Sequence, residues 1–260
     1  MQISEILKSI THATDCQVMV TPDWLQGRAT FGGLVAAVGN EAMRKLVPLE
    51  RPLRSLQTTF VGPAGANSPW TVRARVLRVG KAVTIAHCEI FDAGQIACVQ
   101  IGIYGSDRES VALIKPAAGS APKKVDELHD VQPHEQVPFI QHFGIRWAEG
   151  AEPFSGTQSP TKAFIRHRDQ AATSESHVVA LIDCVPTPAL SMFKAMAPAS
   201  SLVWTLELFE HDLQFGADRW WRIDTDIDAA SGGYINQTGL LHDPDGRPVA
   251  LTRQLVAAYG

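Results

Sequence analysis

The sequence predicts an α+β protein made of two similar units in tandem, each a helix followed by a series of antiparallel strands. Two observations carry this. An apolar stretch with helical spacing, 30–47, precedes the strand-like Arg54-Ser-Leu-Gln-Thr-Thr-Phe60 and a strand run that closes at Tyr104-Gly105. A second stretch, 181–196, precedes Ser201-Leu-Val-Trp-Thr-Leu-Glu-Leu208 and a run that closes at Tyr259-Gly260. One such unit leaves an apolar face open. Two can bury it against each other, and the seam between them suits a long ligand.

In chain order, Ile3, Ile6, Leu7 and Ile10 share one face of a short helix over 2–10, and 17–20 reads as a strand. Gly32-Gly33 opens the first long helix, with Thr30 as its expected cap and Pro48 as its stop. Strands follow over 53–60, 70–79, 82–92 and 95–104; in the second of these Val72, Ala74 and Val76 alternate with Arg73, Arg75 and Leu77. Ala93-Gly94 is a hairpin turn. Segment 106–138 is rich in proline and charge and reads as a linker with one short element at 111–114. It divides the chain into units 1–105 and 139–260. The second unit has expected strands at 143–147 and 162–168, and a helix or broken helix over 178–196 interrupted by Asp183, Pro186 and Pro188. Further strands are expected at 201–209, 220–230, 234–241 and 248–258, the last two joined across Asp243-Pro-Asp-Gly246.

Composition narrows the function. The 260 residues are 45% hydrophobic and 19% charged, enough apolar material for a substantial core. A net charge of −4 and the lack of a basic stripe argue against a nucleic-acid partner, although a local cluster can still meet a phosphorylated ligand. Cys16, Cys88, Cys98 and Cys184 form no CxxC pair and stand at no zinc-site spacing from histidine, so they read as reduced thiols and no metal is expected. The N-terminus has no secretory signature, and no apolar run approaches bilayer length. A cytoplasmic protein without a membrane partner is the expectation.

A helix wrapped by a curved antiparallel sheet is the hot-dog architecture. Two copies give a double hot-dog, two antiparallel sheets each wrapping a central helix and pairing into one continuous sheet. Four stretches resemble the double-hot-dog acyl-CoA thioesterases of the bacterial acyl-CoA thioesterase II type. They are Gly27-Arg-Ala-Thr-Phe-Gly-Gly-Leu-Val-Ala-Ala, Arg54-Ser-Leu-Gln-Thr-Thr-Phe-Val-Gly-Pro with Gly62 where the family pattern has arginine, Ala199-Ser-Ser-Leu-Val-Trp-Thr-Leu-Glu-Leu, and Leu251-Thr-Arg-Gln-Leu-Val. The resemblance implies hydrolysis of an acyl-CoA to free acid and CoA, a place in fatty acid metabolism, no cofactor, and a homo-oligomer. It also implies a catalytic set: an Asp at the entrance of the second helix, a hydroxyl early in the next strand and a Gln in the last strand. The matching residues are Asp183, Ser201 (with Ser200 one place off) and Gln254.

That set suits direct attack by water on a thioester. A carboxylate takes a proton, while a hydroxyl and an amide hold the water in line. Backbone N–H groups of Gly32 and Gly33 at a helix start can face the carbonyl oxygen of the substrate. Read without the resemblance, Asp183 is a helix cap, Ser201 a strand-start hydroxyl, Gln254 a solvated strand residue, and Gly32-Gly33 a point of close helix packing. A catalytically silent acyl-binding or interaction protein is the alternative. Hot-dog dehydratase chemistry, which uses a His and an acid on the helix, is disfavoured because neither expected helix contains histidine.

Overall fold

Period-two burial sets the sheet. In the strand Pro69–Val79, Trp70, Val72 and Ala74 are buried while Arg73, Arg75 and Leu77 face solvent. The computed structural model describes residues 1–12, 14–114, 116–117 and 123–258. Its elements are α1 (Ile3–Lys8), β1 (Cys16–Met19), the short ribbon β2 (Leu25–Gln26) and β3 (Ala29–Thr30), α2 (Gly32–Arg44), β4 (Leu53–Phe60), β5 (Pro69–Val79), β6 (Val83–Asp92) and β7 (Gln95–Gly105). Then follow β8 (Phe143–Glu149), β9 (Thr161–His167), α3 (Glu175–Ile182), β10 (Ala199–Leu208), β11 (Trp221–Ser231), β12 (Tyr234–His242) and β13 (Pro248–Ala258).

Eleven strands form one antiparallel sheet in the order β1-β5-β6-β7-β4-β10-β13-β12-β11-β9-β8. The order is nearly a palindrome about the β4–β10 pair. From that seam outward, β4, β7, β6 and β5 mirror β10, β13, β12 and β11. The seam runs from Val203↔Thr59 to Glu207↔Ser55. The double hot-dog with one continuous sheet is therefore the architecture present. Helices α2 and α3 pack together on the inner face, and a core including Leu34, Val38, Leu56, Val179, Trp204 and Leu206 spans both halves.

Three local expectations are corrected. Thr30 does not cap α2: it pairs with Leu25 in the ribbon, and Phe31 is the N-cap residue, without a side-chain capping bond. The helix expected over 178–196 is confined to Glu175–Ile182, with only a 3₁₀ turn at Pro188–Met192 beyond it. Pro186 and Pro188 lack the N–H a continuing helix needs, and each disfavours helical backbone before it. The helix starts earlier because Ser174 and His177 form a reciprocal capping box, so Glu175 and His177 are helical after all. Residues 111–114 form no element; Val111, Leu113 and Ile114 are exposed. The expected closing pair Tyr259-Gly260 and part of the linker, Gly119 to Ala121 included, lie outside the described residues.

Leu206 on β10 is fully buried opposite Leu56 across the seam. Leu206→Ala is expected to cost about 2–5 kcal/mol. A urea unfolding midpoint equal to wild type would show that the two halves do not share a core there.

Candidate active site

The site forms where the start of α2 meets the end of α3. Phe31 has no capping group, so the N–H groups of Gly32 and Gly33 have no intrahelical acceptor. Close approach excludes a side chain at Gly33 and crowds one at Gly32. A Cβ on Gly33 would stand 2.7 Å from the carbonyl oxygen of Ala180 in α3, and one on Gly32 would stand 3.0 Å from Asp183 Oδ2 and 3.2 Å from the Phe60 ring. The first reaches a distance that packed atoms essentially never share; the second is at its edge. Without side chains there, the helix start can sit against the carboxyl.

Asp183 is the C-cap residue of α3, with φ −89° and ψ −2°. It therefore lies at the exit of the second helix, not at its entrance as the resemblance implies. Gln254 on β13 donates from Nε2 to Asp183 Oδ1 at 2.6 Å. Asp183 is half-buried as a residue, but its carboxyl is shut in between the helix start and Gln254. Burial pushes its pKa from 3.8 up to about 7, and the Gln254 amide and the Gly33 N–H pull the other way. Burial wins, and the group is poised to exchange a proton near neutral pH.

Gln254 is itself held. Gln237 on β12, its direct cross-strand neighbour, donates from Nε2 to Gln254 Oε1 at 2.8 Å. Both glutamines face inward and are more than nine-tenths buried, which overturns the solvated reading of Gln254. Gln237 was not singled out from the sequence. The available signal was a polar residue between Ile235 and Gly239 on the inward phase of a strand.

Ser201 lies opposite Val256 on β13, two residues from Gln254 and on the same face. Diagonal neighbours of this kind are about 7–8 Å apart. A bulge between Ser201 and Val203 breaks the register at this point. Among the described residues no hydrogen bond joins Ser201 to Asp183 or Gln254. Ser200 is exposed.

Glu175 and His177 reopen the dehydratase comparison, and their geometry closes it. Positions two apart on a helix do not share a face. Glu175 accepts from the Leu53 N–H at 2.8 Å and from Asn40 at 3.2 Å. His177 is tied to Ser174 at 2.7 Å and Ser4 at 2.9 Å. The two serve separate structural contacts. Among the described residues no group of three His, Cys, Asp or Glu side chains is arranged to hold a metal. Among those residues no helix is long and apolar enough to cross a membrane.

Comparison with known proteins agrees with this fold. The family model for the acyl-CoA thioesterase C-terminal domain matches residues 121–258, and that for the acyl-CoA thioesterase N-terminal domain matches residues 20–104. No curated protein matches the chain. Among solved structures, a protein of unknown function with the hot dog fold from Alicyclobacillus acidocaldarius superposes with a TM-score of 0.82 at 20% identity, covering 94% of this chain and 92% of the other. An acyl-CoA thioesterase II, TesB2, from Mycobacterium marinum gives 0.72 at 18% identity over 89% and 90%. A tesB protein from Mycobacterium avium subsp. paratuberculosis gives 0.75 at 13% identity over 100% of both chains.

The raised pKa of Asp183 makes stability depend on pH. Between pH 3.8 and about 7 the folded protein keeps a proton that the unfolded chain has lost. Wild type should therefore lose stability relative to Asp183→Asn as pH rises through that window, by at most roughly 1.4 kcal/mol per unit, and level off above it. Urea unfolding of both proteins across the window reads this difference. A constant difference would mean that Asp183 titrates normally.

Proposed function

The chain belongs to the acyl-CoA thioesterase family, and on that premise we propose that it hydrolyses an acyl-CoA thioester to a free acid and CoA. The observation that carries the reading is the convergence of Asp183, Gln254 and the uncapped start of α2 on one point. Ionised Asp183 takes a proton from a water that attacks the thioester carbon. The second N–H of Gln254, which Asp183 does not use, and the Ser201 hydroxyl orient that water. The Gly32 N–H, at the positive end of α2, stabilises the oxyanion as the carbonyl becomes tetrahedral, while the Gly33 N–H stays on the Asp183 carboxyl. When the C–S bond breaks, the proton held by Asp183 passes to the departing thiolate. Water is consumed, acid and thiol form, and the carboxylate is regenerated without a covalent intermediate. Family membership supports an acyl-CoA as the substrate.

The base must be ionised, so the acid limb of kcat/KM is expected near pH 7. Thiol release from a panel of acyl-CoAs should fall about 10²–10⁴-fold in Asp183→Asn. Gln254→Ala and Ser201→Ala should lower kcat more than they raise KM. Release that survives Asp183→Asn unchanged would remove this mechanism. Tight acyl-CoA binding with no release from any chain length would make the protein an acyl-binding module instead.

A further inference from the structure

The geometry points to Gln237 as a positioning residue that fixes the side-chain amide of Gln254 with its N–H group toward Asp183. The inference rests on the hydrolase reading only for its kinetic consequence. A glutamine amide has two ends of nearly the same shape, one donor and one acceptor, and rotation by half a turn exchanges them. An ionised carboxyl can only accept. The Gln254 end that faces Asp183 must therefore be the NH₂ group, and its oxygen must point away, toward β12. There Gln237 Nε2 donates to that oxygen at 2.8 Å. Were Gln237 unable to donate, Gln254 Oε1 would be a buried acceptor without a partner, and rotation of the amide would cost little.

Gln237 is not an ordinary satisfied core glutamine. Its own Oε1 is buried and has no partner among the described residues. The opposite rotamer of Gln237 would place its oxygen against the oxygen of Gln254, so the amide gives up one bond to keep its donor inward. Polarity is thus passed along Gln237, Gln254 and Asp183 in one direction.

The other half of the sheet shows the same place without this device. Gln100, Thr58, Trp204, Gln254 and Gln237 form one cross-strand row through the seam. Gln100 on β7 mirrors Gln254 on β13. Its outward neighbour on β6, in the place of Gln237, is Cys88. A thiol is a weak donor and cannot orient an amide. Gln100 there spends its N–H groups on the Ala36 carbonyl and on Thr58 at 3.2 and 3.0 Å, and its oxygen has no partner among the described residues. A donating neighbour accompanies the glutamine only in the half that holds the buried carboxyl.

The test uses the full chain and two readouts. In wild type, the side-chain amide N–H resonances of Gln237 and Gln254 are followed by NMR through the titration of Asp183, and both should shift with its midpoint. In Gln237→Met, which keeps the shape and removes the donor, Asp183 should titrate at higher pH because Gln254 no longer holds its donor in place. The acid limb of kcat/KM should move up with it. At pH 7 kcat should fall about tenfold, roughly the worth of one hydrogen bond to a charged group, with KM little changed. Activity should recover toward wild type well above the limb. A residue that only packed the core would lower the unfolding midpoint and leave the titration in place. An Asp183 midpoint and acid limb unchanged in folded Gln237→Met overturns the inference. Should that variant not fold, a wild-type titration in which the Gln237 amide ignores Asp183 overturns it equally. If wild type releases no thiol, the hydrolase reading falls, and the NMR readout still decides the role of Gln237.

Discussion

The approach of two backbones, the start of α2 against the last turn of α3, is the constraint on which the rest of the molecule depends. Gly33 sits so near the Ala180 carbonyl that any side chain would force the helices apart. That contact brings uncapped N–H groups to the end of the neighbouring helix, where Pro186 and Pro188 have stopped it and left Asp183 as its cap. The sheet then closes the site from the other side. Because β4 pairs with β10 and β10 with β13, Gln254 arrives beneath the helix junction with its amide in reach of the carboxyl. Helix packing, proline placement and strand register each fix one side of a small polar point in an apolar interior.

Duplication supplies this framework twice but completes it once. The mirrored row across the seam places a glutamine in each half, Gln100 and Gln254, at equivalent positions. In the first half α2 runs on through residues 39–44, and its polar contact with α3 is made by Asn40, which bonds Tyr104, Glu175 and Ser176. Gln100 spends its amide N–H groups on Ala36 and Thr58 instead of on a carboxyl. An unbroken helix carries the first half past this point, and a broken one leaves the second half a cap residue whose carboxyl meets Gln254. The asymmetry follows from where the prolines are.

Strands were legible because their alternation is local: β4 and β13 have the boundaries the sequence predicts, and β5 shows the burial phase of Val72 and Ala74. The start of α3 was not legible. Its capping box uses His177 where glutamate or glutamine is the usual partner, and the polar run Ser174 to His177 hides a helix whose apolar face begins only at Val178. Asp183 and Gln254 were reached through resemblance, since alone each reads as a cap and a solvated residue. Gln237 was reached by neither route. Its role exists only in register with Gln254, and register across a hairpin is a tertiary property that spacing within one strand does not encode.

The site also has a thermodynamic character of its own. A carboxyl driven up to about 7 is held by the fold against its preference for water, and the ionised form that takes a proton is the form the protein stabilises least. Gln254 and the α2 start offset part of that penalty, and they work only while their donors point at the carboxyl. An amide free to rotate would let the site relax toward the protonated acid and lose its base. Orientation of donors is therefore as much a part of the chemistry as their presence. On the proposed role of Gln237, its buried oxygen, without a partner among the described residues, is an unsatisfied group accepted one hydrogen bond beyond Gln254 in order to keep that orientation.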